Sequence, residues 1–65
     1  MTEPTRLQLE TWRVYFDAGS SRAAARVLGV HEITVRKRLA ELRDVYGVRT
    51  NVQLAVAIER EKVAA

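Results

Sequence analysis

Apolar residues along this chain return at every third or fourth position rather than every second, so the pattern predicts helices and no strands. Gly19, Gly29 and Gly47 cut it into four segments. The first predicted helix runs from about Pro4 to Asp17, capped by Thr2 or Thr5, and Thr5 with Gln8 has the spacing of a capping box. Leu9, Trp12 and Phe16 fall on one stripe, widened by Leu7, Val14 and Tyr15. The aromatics Trp12, Tyr15 and Phe16 therefore read as core rather than as base-stacking platforms. A second, shorter helix starts at a cap supplied by Ser20 or Ser21 and reaches Leu28. Ala23, Ala24 and Ala25 keep it slim, and Val27 and Leu28 anchor its end. The third begins at His31 and runs to about Tyr46, with Val35, Leu39 and Leu42 inward. Thr50 caps the fourth, Asn51 to about Val63, with Gln53 again at the capping-box position. Its apolar residues cover two faces: Leu54 and Ile58 suit the core, while Val52, Val56 and Val63 are left for something else. The expectation is an all-α fold, four short helices forming a single domain over residues 1–65.

Composition narrows the chemistry. At 65 residues the chain holds one domain, near the lower limit for unaided folding. With no Cys and one His it builds neither a disulfide, a His-rich metal site nor a Cys–His nucleophile. A short helical chain also lacks room for a substrate pocket of the usual several hundred cubic ångströms. No enzyme, metal or other cofactor is expected. The N-terminus is charged and no long apolar run exists, so neither a signal peptide nor a membrane span is expected. That leaves a cytoplasmic, nucleoid-associated location. The initiating Met and the caps at both ends are expected to mark a whole small protein. The tail Val63-Ala64-Ala65 resembles the end of a bacterial degradation tag.

The net charge of +3 becomes informative once located. Residues 1–19 balance to −1 and residues 44–65 to zero. Residues 20–43 carry Arg22, Arg26, Arg36, Lys37, Arg38 and Arg43 against Glu32 and Glu41, a balance of +4. Such a block is either a solvated helix surface or the footprint of a polyanion, and shape decides between them. The same stretch, SRAAARVLGVHEITVRKRLA over residues 21–40, has the form of a helix-turn-helix. Ala25 permits close helix approach, Gly29 makes the turn, Val30 plugs it, and Val35 and Leu39 lock the second helix with its N-terminal end projecting. The expected partner is double-stranded DNA.

The outward face of that recognition helix is His31, Glu32, Ile33, Arg36 and Lys37, with Ala40 one turn on. These five are the candidate base contacts. Arg36 and Lys37 suit guanine, where an Arg bonds bidentately, against the alternative of phosphate contact or solvation. His31 caps the helix or touches a phosphate or base. Glu32 accepts from cytosine N4 or favours its own helix N-terminus through the dipole. Ile33 meets a thymine methyl or packs on the second helix. Candidate phosphate contacts are Ser20, Ser21 and Arg22 at the N-terminus of the second helix, and Thr34, Arg38 and Arg43 on the third.

The run LGVHEITVRKRLAELRDVYGV, followed by RTNVQLAVA, resembles the C-terminal DNA-binding domain of LuxR-type regulators without a gap from Leu28 through Ala57. SRAAARVLGV and RKRL also resemble the Fis-type helix-turn-helix, and VH-x-x-TVR-x-RL is similar to the C-terminal domain of PucR-type activators. The loop before the second helix is about one residue shorter than in the LuxR type, and the Thr-Pro-x-Glu opening of that family is blurred to TEPT. No receiver or ligand-sensing domain is expected before the motif, so the resemblance is not expected to carry signal control. The resemblance implies a bacterial or phage transcriptional regulator. It further implies a dimer through the fourth helix, here through Val52, Val56 and Val63, with recognition helices about one DNA turn, roughly 34 Å, apart. Contact with RNA polymerase is a further implied partnership. The rival is a protein-interaction module, a polymerase-binding factor or anti-activator, that keeps the fold without sequence-specific DNA binding. Such a module has no need of +4 over residues 20–43.

Overall fold

In the computed structural model, which describes residues 3–64, four helices follow the glycine punctuation. They are α1 (Arg6–Ala18), α2 (Ser21–Leu28), α3 (Glu32–Tyr46) and α4 (Asn51–Ala64). The architecture is all-α, and among the described residues no helix is long and apolar enough to cross a membrane. The alternative cap Thr2 and the end of the Val-Ala-Ala tail lie outside the described residues.

Local signals set the boundaries. At the start of α1 the Thr5 hydroxyl accepts from Gln8 N at 3.1 Å while Gln8 Oε1 accepts from Thr5 N at 3.0 Å, a complete capping box. The helix therefore begins two residues after Pro4. Ser20 caps α2, its Oγ accepting from Ala23 N at 3.1 Å. Thr50 and Gln53 form the same reciprocal pair at α4, and Gln53 Oε1 also accepts from Arg49 N. In the α2–α3 turn Gly29 takes φ +70°, a left-handed conformation that side chains resist, and Val30 N donates to Ala25 O at 3.1 Å.

The core is small and centred on α3. Val35, Leu39 and Leu42 are fully buried, joined by Ala24 and Ala25 from α2, Trp12 from α1, and Leu54 and Ile58 from α4. Val30 packs against this cluster from the turn. Helices α1, α2 and α3 pack closely on one another, whereas the close backbone packing of α4 is with α3, and it meets α1 through side chains such as Asn51 and Tyr15. Tyr46 Oη donates to Glu61 Oε1 at 3.1 Å along the α3–α4 contact. Burial and the neighbouring Glu61 carboxylate both disfavour the phenolate, so the Tyr46 pKa is raised above the ordinary tyrosine value of 10.0.

Two expectations from the apolar pattern are corrected. The buried stripe of α1 is Thr11 and Trp12, flanked by half-buried Gln8, Tyr15 and Ala18, rather than Leu9, Trp12 and Phe16. That is a rotation of roughly one residue, about 100°. Phe16 is 68% exposed, and Leu9 and Leu7 are exposed too, because α4 docks on α3 and does not close over α1. Trp12 still supports Phe16, with ring centroids 5.7 Å apart. Val27 does not anchor α2 and is 70% exposed. The short helix spends its inner face on Ala24, Ala25 and Leu28, and Val27 lies well round from them.

Candidate nucleic-acid interface

The helix-turn-helix is α2, the Gly29–His31 turn and α3. With Val35, Leu39 and Leu42 locked inward, the 100° step of the helix places Ile33 and Lys37 near the opposite pole. Ile33 is 69% exposed, Lys37 and Arg36 are exposed, and Ala40 is half-buried beside them. His31 is exposed at the N-cap. Its carbonyl accepts from Thr34 N and Val35 N, but its ring makes no capping bond, so the imidazole is not used by the helix end. Four of the five candidate base contacts thus share one exposed surface at the projecting end of α3.

Glu32, the fifth, is half-buried in the first turn and holds Arg36: Arg36 Nη2 donates to Glu32 Oε2 at 2.5 Å. The four-residue spacing puts the two side chains one above the other on the flank of α3. As an acid in the first helical turn Glu32 also meets the positive end of the helix dipole.

The candidate phosphate contacts divide in two. At the N-terminus of α2, Arg22 is exposed and Ser21 half-buried, while the Ser20 hydroxyl is committed to its cap. Thr34 is half-buried on α3. Arg38 and Arg43 are half-buried and engaged with the protein. Arg38 Nη1 donates to Thr11 Oγ1 at 3.4 Å, and Thr11 Oγ1 itself donates to Leu7 O at 2.8 Å. Arg43 Nη1 donates to Asn51 Oδ1 at 2.5 Å, and Asn51 Nδ2 donates to the Tyr15 hydroxyl at 3.1 Å. That chain of three side chains ties α3, the start of α4 and α1 together. Charge spacing alone does not reveal it, since Tyr15, Arg43 and Asn51 come from three helices.

On α4 the division between faces is as expected. Leu54 and Ile58 are buried, while Val52, Val56 and Val63 are 75%, 47% and 80% exposed. Phe16, whose spacing predicts a core position, stands with Val52 and Val56 along a groove between α1 and α4 floored by Trp12 and Ala55.

A family model, that of the PucR C-terminal helix-turn-helix domain, matches residues 8–58. The match runs from the first turn of α1 through Ile58 and so takes in the whole α2–α3 unit and the buried half of α4. It selects one of the three helix-turn-helix types that the sequence resembles. No curated protein and no solved structure is similar enough to match.

Proposed function

We propose that this chain, which belongs to the PucR C-terminal helix-turn-helix family, is a sequence-specific double-stranded DNA-binding regulator of bacterial or phage transcription. The supporting observation is the projecting end of α3, where Ile33, Arg36 and Lys37 face solvent while Val35, Leu39 and Leu42 fix the helix from behind. In the major groove Arg36 and Lys37 read guanine edges, Ile33 meets a thymine methyl, and His31 reaches a base or phosphate at the mouth, with Glu32 beside Arg36. Ser20, Ser21 and Arg22 approach one backbone through the N-terminus of α2, and Thr34, Arg38 and Arg43 flank the other. Selection from random duplexes at two salt concentrations tests this reading. Sequence enrichment together with a steep loss of affinity in salt is expected. Absence of both would leave the protein-interaction module as the better account.

The reading includes a homodimer. One short helix in one groove gives little affinity, and the α1–α4 side leaves Val52, Val56, Val63 and Phe16 uncovered. A second copy meeting that face sets two recognition helices on a near-palindromic site. Contact with RNA polymerase would follow from occupancy of a promoter. Sedimentation of the wild type against Val56→Glu decides the dimer: a shift from dimer to monomer is expected, and identical monomeric profiles end the claim.

A further inference from the structure

The Glu32–Arg36 pair is the one ion pair among the described residues, and it lies within the proposed reading surface. A carboxylate there needs an account, because residues 20–43 otherwise carry a cationic excess and phosphate repels an unpaired acid. We infer that Glu32 is a positioning residue for Arg36, holding the guanidinium in the orientation that reads guanine, so that base specificity at Arg36 depends on a side chain that touches no base. The inference rests on the DNA-binding reading above.

Glu32 Oε2 takes one N–H of Arg36, through Nη2 at 2.5 Å. Guanidinium has five N–H donors in a planar fork, so those left over still suffice for the two bonds to guanine O6 and N7. The acceptor is the less exposed partner of the two. Glu32 is the first residue of α3 and half-buried, its side chain 37% exposed, while that of Arg36 is 64% exposed and open to a ligand. An arginine on a mobile stem must give up rotamer freedom to make a bidentate contact, and one already held from behind gives up less. The pair also neutralises Glu32, which permits a carboxylate close to the phosphate backbone. Direct readout of cytosine by Glu32 would fall to Oε1, the oxygen that takes no bond from Arg36.

Three accounts of Glu32 make different demands on one experiment, a measurement of base preference at each operator position with Glu32→Ala, Glu32→Gln, Arg36→Ala and the double variant. Positioning predicts that Glu32→Ala loses about five- to tenfold of the preference for guanine at the same base pair that Arg36→Ala relaxes. It further predicts that Glu32→Ala adds nothing in the Arg36→Ala background, and that Glu32→Gln, which keeps an acceptor oxygen, recovers part of the preference. Loss at a different base pair from the one read by Arg36 would overturn the inference in favour of direct readout. A lowered thermal midpoint with unchanged preference would overturn it in favour of a dipole role alone. If the wild type enriches no sequence at all, the DNA-binding reading fails and takes this one with it. That outcome is distinct from wild-type enrichment that Glu32→Ala leaves intact, which removes the positioning role only.

Discussion

Replacing Arg22 with Ala is expected to flatten the salt dependence of duplex binding without changing the preferred sequence. The six cations of residues 20–43 are not equivalent in the structure. Arg38 and Arg43 are half-buried against Thr11 and Asn51, and Arg36 is paired with Glu32 and assigned to a base. Lys37 is likewise assigned to a base, so the cations proposed for phosphate are Arg22, which is exposed, and the half-buried Arg38 and Arg43. Each phosphate neutralised contributes about −0.9 to the slope of log K against log salt, so one copy with three such contacts has a slope of about −2.7 and two copies about −5.4. Between about 50 and 200 mM salt, affinity then falls roughly 40-fold for one copy and roughly 2,000-fold for two. Arg22→Ala removes one contact per copy and moves the slope by about one unit per copy bound. Fluorescence anisotropy titrations of a labelled duplex at four salt concentrations read the slope directly, and the same series separates the one-copy from the two-copy complex. An unchanged slope in Arg22→Ala would refute the placement of the α2 N-terminus on a phosphate. A loss of sequence preference in that variant would mean that α2, rather than α3, reads bases.

Further expectations concern the scaffold. Leu39→Ala, at a fully buried position on α3, costs about 2–5 kcal/mol. A domain of this length holds roughly 3–10 kcal/mol, so thermal denaturation of the variant should begin near ambient temperature; a midpoint within a few degrees of wild type would contradict the core assignment. Gly29→Ala meets no neighbouring atom within 4 Å but must hold φ +70°, so it costs about 1–2 kcal/mol from the backbone alone. Gly29→Asn should cost less, and equal costs in a urea titration would point to a steric origin instead. The folded-state pKa of Tyr46 lies above its unfolded value of 10.0. Its contribution to stability is therefore fully present below that unfolded value and is lost as pH rises through the folded one. Stability from about pH 9 to about pH 11.5 should fall more steeply for wild type than for Tyr46→Phe, and parallel curves would remove the Tyr46–Glu61 bond as a cause.

What the chain encodes locally was legible, and what depends on docking was not. Capping boxes at Thr5–Gln8 and Thr50–Gln53, the Ser20 cap and the glycine stops act over three or four residues, so their spacing reveals them. The inward register of α3 was legible for a related reason: Val35, Leu39 and Leu42 are its strongest apolar repeat, and three helices pack around it. On α1 the same logic chose the wrong face. The apolar repeat Leu9–Trp12–Phe16 competes there with a stripe containing two polar residues, Gln8 and Thr11, and the packing of α1 on α2 and α3 decides between them. Thr11 is tolerated in the interior because its hydroxyl is bonded to Leu7 O, which no hydrophobic pattern anticipates. In the candidate site the positions of Ile33, Arg36 and Lys37 follow from the α3 register. The engagement of Arg38 by Thr11 spans 27 residues and lies beyond any local signal.

The two ends of α3 do different work, and this bears on whether one copy can meet DNA and a partner together. Fifteen residues span about 22 Å, longer than α2 can cover with eight. The half of α3 after Leu39 is therefore free to carry α4, through Leu42, the Arg43–Asn51 bond and the Tyr46–Glu61 bond. The half before it keeps His31, Ile33, Arg36 and Lys37 at the surface. The α1–α4 groove, lined by Trp12, Phe16, Val52 and Val56, includes none of those four residues. A second copy seated on the groove therefore need not cover the reading surface. The Arg43–Asn51–Tyr15 chain spans from α3 across the start of α4 to the α1 wall of the groove. Because those three side chains fix the first turn of α4 relative to both α1 and α3, they would also fix the angle at which the proposed second copy on Val52 and Val56 is carried. Half-site spacing on DNA should consequently respond to Asn51→Ala even though Asn51 lies on no reading surface, and selection of an unchanged spacing by that variant would show that α3 alone holds α4 in place.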